Sequence, residues 1–127
     1  MEHDGEPVRL VEVATHALVI GPDLSITPLE RRPGPPERLP GMTVGLVEVT
    51  ADAPHNGERH PDGDEILYVY RGRLELTLES QPGRTITLGP GDACVVSRGE
   101  WHNLHMVEPA LLLHITPGPQ GDHRPLP

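Results

Sequence analysis

The sequence predicts an all-β domain of short antiparallel strands, and two observations carry that prediction. Sixteen prolines and fourteen glycines punctuate the 127 residues, cutting the chain into pieces too short for long helices. Between these breaks apolar and polar residues alternate at the period of a strand, most clearly over Leu74-Glu75-Leu76-Thr77-Leu78-Glu79. A chain of this length holds one domain with a single core. Many short strands in one small domain leave a sandwich or a closed jelly-roll barrel as the economical architectures.

The elements follow in order. Residues 1–9 are polar, with Gly5 and Pro7, and read as a loose amino-terminal arm; the folded domain is expected over 10–116. The apolar run over 10–20 ends at Gly21-Pro22-Asp23 and makes one or two short strands. Residues 28–40, with five prolines among charged side chains, read as an exposed loop. A strand over 42–50 precedes a loop over 51–63. Residues 65–70 form a strand, Arg71-Gly72-Arg73 a turn, and 74–79 the next strand, with Leu74, Leu76 and Leu78 toward the core. Residues 85–88 and 93–96 are strands separated by the tight turn Gly89-Pro90-Gly91-Asp92, and 102–107 and 110–116 are the last two. From Pro117 onward the prolines and glycines are expected to end any ladder, leaving 117–127 as a carboxy-terminal arm.

Composition narrows the function. A net charge of -9 argues against nucleic acid or an anionic membrane surface as partner, since both demand a basic patch. Cys94 is the single cysteine, so no internal disulfide forms. It lies in an apolar strand with no basic neighbour, the setting of an inert buried thiol. No run has the pattern of a signal peptide or the length of a membrane span, so the cytoplasm is the expected compartment.

The chemistry sits in Glu58-Arg59-His60-Pro61-Asp62-Gly63-Asp64-Glu65 and in Gly99-Glu100-Trp101-His102. Two imidazoles and a carboxylate from two β-rich segments are the donor set of a divalent metal. On a strand, side chains two apart share a face, so Glu58 and His60 point the same way. The turn Pro61-Asp62-Gly63 brings Glu65 back beside His60. Parity also puts His102, Leu104 and Met106 on one face and His105 on the other, so an inward His102 excludes His105. A His60, Glu65, His102 set leaves coordination positions open, while Glu58 either completes it or orients His60 from outside. The cofactor expected is a divalent transition metal, Fe, Mn, Zn or Ni. The alternative is a barrel whose site is degenerate and holds its ligand without metal or turnover.

Four further residues are candidates for a small-molecule pocket. His114 shares a face with Leu112, and an inward imidazole there would touch a ligand. Trp101 precedes His102 at the rim, Met106 lies on the His102 face, and His55 sits in a loop from which it could swing inward. Arg59 and Arg98 flank the donors and are expected to face water, the alternative being that they bind an anionic substrate. If Glu65 looks inward, Ile66, Tyr68 and Tyr70 look outward, and an exposed apolar stripe of that kind predicts a twofold homodimer.

These residues resemble the two motifs of the cupin superfamily, G-x5-H-x-H-x3,4-E-x6-G and G-x5-P-x-G-x2-H-x3-N. In the first, His60 falls on the second histidine, Glu65 on the glutamate and Gly72 on the closing glycine, while Asp52 replaces the opening glycine and Glu58 the first histidine. In the second, Gly91, Gly99 and His102 fall on their positions, while Ser97 replaces the proline and Met106 the asparagine. Of these departures, Glu58 alone touches a metal ligand. The resemblance implies a cupin-type double-stranded β-helix, a jelly-roll barrel of antiparallel strands, and a twofold homodimer. It also implies a metal-dependent enzyme of dioxygenase or isomerase type acting on a small molecule, or a non-catalytic cupin binding a sugar or organic acid at a degenerate metal site.

Overall fold

The computed structural model describes residues 7–33 and 37–127. Among them are nine strands and no helix, and every strand pairing is antiparallel. The strands are β1 (His16–Ile20), β2 (Ile26–Glu30), β3 (Gly41–Val49), β4 (Glu58–Arg59), β5 (Glu65–Leu78), β6 (Thr85–Leu88), β7 (Ala93–Val96), β8 (His102–Gly118) and β9 (Asp122–His123). The sheet runs β2-β1-β3-β8-β4-β9, with β5 paired along β8 and with β6 and β7 paired to β5. The result is an antiparallel jelly-roll barrel built on two long strands, β5 and β8.

Those two strands account for the main difference from the sequence expectation. Arg71-Gly72-Arg73 is not a hairpin turn but a bulge inside one continuous strand, where the pairing with β8 slips between Val69 and Leu74. Before the bulge the buried residues are Glu65, Leu67 and Val69; after it they are Leu74 and Leu76. The inward parity changes by one residue, which is what an inserted residue does to a pleat. Gly72 makes this possible: its φ of 85° lies in the left-handed region, and a Cβ there would collide with the Pro109 carbonyl and Ala110. Opposite it, the segments expected as two strands are joined through Glu108-Pro109 into the single strand β8.

Three other expectations are corrected at the ends of the fold. Residues 28–30 belong to β2 rather than to a loop; Pro28 is tolerated because among the described residues β2 is an edge strand, paired with β1 on one side alone. Pro117 does not end the ladder, since β8 pairs with β3 as far as Gly41–Gly118. Beyond Ile115 β8 has β3 as its one partner, so a residue without an N–H is accommodated there. The tail then returns as β9 against β4, reinforced by the Arg124 N–H to the Gly57 carbonyl (2.9 Å) and the Asn56 N–H to the Arg124 carbonyl (2.8 Å). The expected amino-terminal arm falls mostly outside the described residues, as does the centre of the proline-rich segment, 34–36. Among the described residues no helix is long and apolar enough to cross a membrane.

Leu67, Val69, Leu74, Leu76, Leu88, Val96, Ala110 and Leu112 form the core. Half of it, Leu67, Val69, Leu74 and Leu76, comes from β5, so the bulge phases that half. Gly72→Ala is therefore expected to destabilise the fold by about 2 kcal/mol or more, the combined cost of the left-handed backbone and the collision. Chemical denaturation followed by circular dichroism measures it; an unchanged midpoint would show that the bulge tolerates a side chain.

Candidate metal centre

Strand pairing assembles the centre. Glu58 on β4 lies directly opposite His102 on β8, so their side chains share a face. His60 follows β4 by one residue, and its carbonyl accepts the Gly99 N–H at 3.0 Å, tying the two motif segments together. Between His60 and Glu65 the turn is pinned twice by its own acids. Asp62 accepts the Gln120 N–H (2.6 Å) and Asp64 the Arg98 N–H (2.8 Å).

Glu58, His60, Glu65 and His102 thereby form a possible metal-binding group, each with one donor atom within 4.8 Å of the others. His102 Nε2 lies 3.1 Å from Glu65 Oε1 and 3.7 Å from Glu58 Oε1. His60 Nε2 lies 3.4 Å from Glu65 Oε2 and 3.7 Å from Glu58 Oε1. His60, Glu65 and His102 are buried, and the Glu58 side chain keeps 31% of its exposure.

The tautomer of His102 is set by its neighbour. Its Nδ1 faces the Glu100 carbonyl at 2.9 Å, and a carbonyl can only accept, so Nδ1 carries a hydrogen and Nε2 is the nitrogen turned on the carboxylates. Burial works against a charged His102, but the Glu65 hydrogen bond, the Glu100 carbonyl and the two carboxylates outweigh it and raise its pKa above the ordinary imidazole value. Burial likewise opposes ionisation of Glu58, yet His60, His102 and His55 hold its carboxyl below the usual range. His60 has no such resolution. Both its ring nitrogens are sealed from solvent without a hydrogen-bond partner, although two carboxylates stand within 4 Å. A buried, unpartnered imidazole beside two carboxylates fits a cation at their focus, and a set of oxygens and imidazole nitrogens without thiolate suits a first-row divalent ion.

A cavity of about 230 Å³ opens beside the group. Leu39, Leu67, Leu104, Leu112 and Pro117 give it apolar walls; Thr43, His114 and Thr116 add polar ones, and Glu37 and Arg38 charged ones. Of the four pocket candidates, His114 alone lines it. Trp101 lies outside, under the tail, where the Arg124 guanidinium stacks 3.9 Å from its ring centroid and Arg59 sits at 5.2 Å. Arg124 is also held by Glu79 (3.0 and 3.2 Å), and Arg59 by Asp122 (3.0 Å). Met106 packs against the core, and its N–H donates to Asp52 at 2.7 Å. His55 touches Glu58 from the outer side (3.8 Å) and accepts the Gly57 N–H. His105 faces away, 3.2 Å from Asp52. Burial, with the charge of Glu65 added, pushes the Cys94 thiol up, in keeping with an inert thiol.

Sequence reasoning missed Thr116 and Gly45. Thr116 donates to Glu65 Oε2 at 2.6 Å and meets His114 Nδ1 at 2.8 Å. Gly45 pairs with His114 across β3 and β8, and any Cβ there would strike the imidazole. The parity of β8, which puts Thr116 on the face of His114, was the available signal for the first; nothing local marked the second.

A family model described as Cupin domain matches residues 45–116. No curated protein sequence matches the chain. Among solved structures it is similar to a cupin-2 domain containing protein from Shewanella frigidimarina NCIMB 400, at 23% identity over 68% of this chain and 83% of that one, with a TM-score of 0.53. Oxalate decarboxylase from Bacillus subtilis gives 22% identity over 68% of this chain and 24% of its own, with a TM-score of 0.54. HppE in its CoII form, in complex with substrate, gives 20% identity over 59% of this chain and 44% of its own, with a TM-score of 0.50. At these identities the likeness is one of fold, and the chain spans about a quarter of the decarboxylase.

Proposed function

The chain belongs to the cupin family, and on that premise we propose that Glu58, His60, Glu65 and His102 hold a divalent transition metal and that the barrel is a metal-dependent enzyme acting on a small molecule in the adjoining cavity. The observation that carries this reading is the His60 imidazole, buried with both nitrogens unpaired against two carboxylates. Fe, Mn, Zn and Ni all suit the donors, and dioxygenase or isomerase chemistry is the class of reaction proposed. Once bound, the ion would supply a Lewis acid or a redox centre to a molecule in the cavity.

The protein's own contributions follow from the contacts. The Glu100 carbonyl fixes the His102 ring, and the Thr116 hydroxyl fixes the Glu65 carboxylate, so the donors are oriented before any ligand arrives. Leu67, Leu104 and Leu112 give the neighbouring volume an apolar side, where electrostatic interactions are stronger than in water. Two carboxylates balance a divalent charge, so the loaded centre is close to neutral.

Elemental analysis of protein purified without chelator, followed by loading with Fe, Mn, Ni or Zn, tests the reading. About one ion per chain is expected from a four-donor group, and His102→Ala should remove it. Failure to load any of the four metals would overturn the proposal. Glu58→Gln should weaken binding at least about tenfold if the carboxylate ligates or orients a ligand. Unchanged affinity would leave Glu58 outside the metal's surroundings.

Proton competition gives a second prediction. Because the His102 pKa lies above its ordinary value, the metal-free chain holds a proton on Nε2, donated to Glu65, over a pH range in which a free imidazole has already lost it. The ion must displace that proton, so metal affinity rises as pH rises through the His102 value and then levels off. Calorimetry in buffers of different ionisation heat reads the proton release; metal binding without release at neutral pH would contradict this.

The outer face of β5 and β7 is proposed as a twofold homodimer contact. Ile66, Tyr70 and Val95 keep 38%, 61% and 63% of their exposure there. Tyr70→Glu should yield monomer in analytical ultracentrifugation, and a dimer that persists would assign the contact to another surface.

A further inference from the structure

Among the polar groups of the cavity wall that the metal donors do not use, His114 is held by contacts that define its hydrogen-bonding state. Thr116 has a single hydroxyl hydrogen, which it donates to Glu65 Oε2 at 2.6 Å. Toward His114 Nδ1, 2.8 Å away, the same hydroxyl can therefore only accept. Nδ1 must carry the hydrogen, and the lone pair of the neutral ring is on Nε2. Among the described residues nothing donates to Nε2, yet the atom is not sealed as the His60 nitrogens are. Gly45 leaves room for it, since a side chain at that position would occupy the place of Nε2 itself. Burial, chiefly, lowers the pKa of His114, and Arg31 and His60 add to this against the pull of Glu65 and Glu58, which keeps the ring neutral.

We propose that His114 Nε2 is the specificity-determining acceptor of the cavity, taking a hydrogen bond from the hydroxyl of a small-molecule ligand. The inference rests on the metal reading above for what the rest of such a molecule meets, but its hydrogen-bond logic stands apart from it. A carboxylate has no hydrogen to give and would leave Nε2 unpaired, a costly outcome for a half-buried acceptor. Thr116 is a positioning residue here: it holds the ring in the tautomer that presents the lone pair, and it links that choice to Glu65 through one shared hydroxyl.

Two measurements test this. Nitrogen-15 spectra of the histidine rings, on metal-free and zinc-loaded protein, should show His114 protonated at Nδ1 and bare at Nε2, with that preference weakened in Thr116→Val. A hydrogen on Nε2 in the wild type overturns the proposal. Methyl-resonance titrations of the zinc-loaded protein with isobutanol and with its methyl ether should show the alcohol binding roughly fivefold more tightly, the worth of one hydrogen bond. The preference should vanish in His114→Leu and return in part in His114→Gln, whose amide oxygen restores an acceptor. Equal binding of alcohol and ether by the wild type overturns the proposal. Zinc content should be the same in wild type and His114→Leu. A wild type that takes up no zinc defeats the metal reading alone, because the tautomer is read on metal-free protein as well.

Discussion

The structure turns on the burial of one carboxylate between two imidazoles. Glu65 is buried almost completely, with His102 and His60 on either side and the Thr116 hydroxyl beneath. Placing an ionised group in such a site costs several kcal/mol unless its surroundings compensate. Three compensations are present, and they come from three separate places in the chain. His102 comes from the start of β8, Thr116 from its far end, and His60 from the segment after β4. The carboxylate has its full set of partners when all three arrive.

Delivery depends on turns whose side chains are consumed in holding them. Asp62 and Asp64 spend their carboxylates on backbone N–H groups of Gln120 and Arg98, so neither is free to join the metal donors despite standing between two of them in sequence. The tail makes the outer wall of the same region. With β9 on β4, and Arg124 spread over Trp101 and anchored to Glu79, residues remote in the chain brace the strand that carries Glu58. Trp101, adjacent to a donor in sequence, belongs to this brace and not to the cavity.

Much of this was legible beforehand, for reasons that differ by residue. The donor group was readable because its parts obey strand parity and lie on either side of punctuation by proline, glycine and aspartate; Glu58, His60, Glu65 and His102 do come together. The alternation of Leu74, Leu76 and Leu78 was readable for the same reason, although Leu78 is only half-buried. What sequence could not convey was whether a glycine ends a strand or bends it. Arg71-Gly72-Arg73 has the composition of a turn, and only the neighbouring Pro109 and Ala110 make it a bulge. Pro28 and Pro117 misled in the same way, because a proline forbids a ladder bond on one side alone and which side is used is a tertiary fact. Gly45 meets His114 across two strands far apart in the chain, so that contact had no local trace.

The bulge at Gly72 also separates two kinds of length in this protein. The stretch between β5 and β6 is a surface connection, and adding or losing a residue there changes a loop and nothing that the loop joins. The stretch from Val69 to Leu74 acts instead as a phase shifter within the pleat. One residue more or fewer would turn Leu74 and Leu76 outward while Glu65, Leu67 and Val69 stayed in place, so half of the strand would be inside out relative to the other half. Length variation in this fold is therefore permitted or forbidden according to whether a segment joins strands or sets the handed alternation inside one.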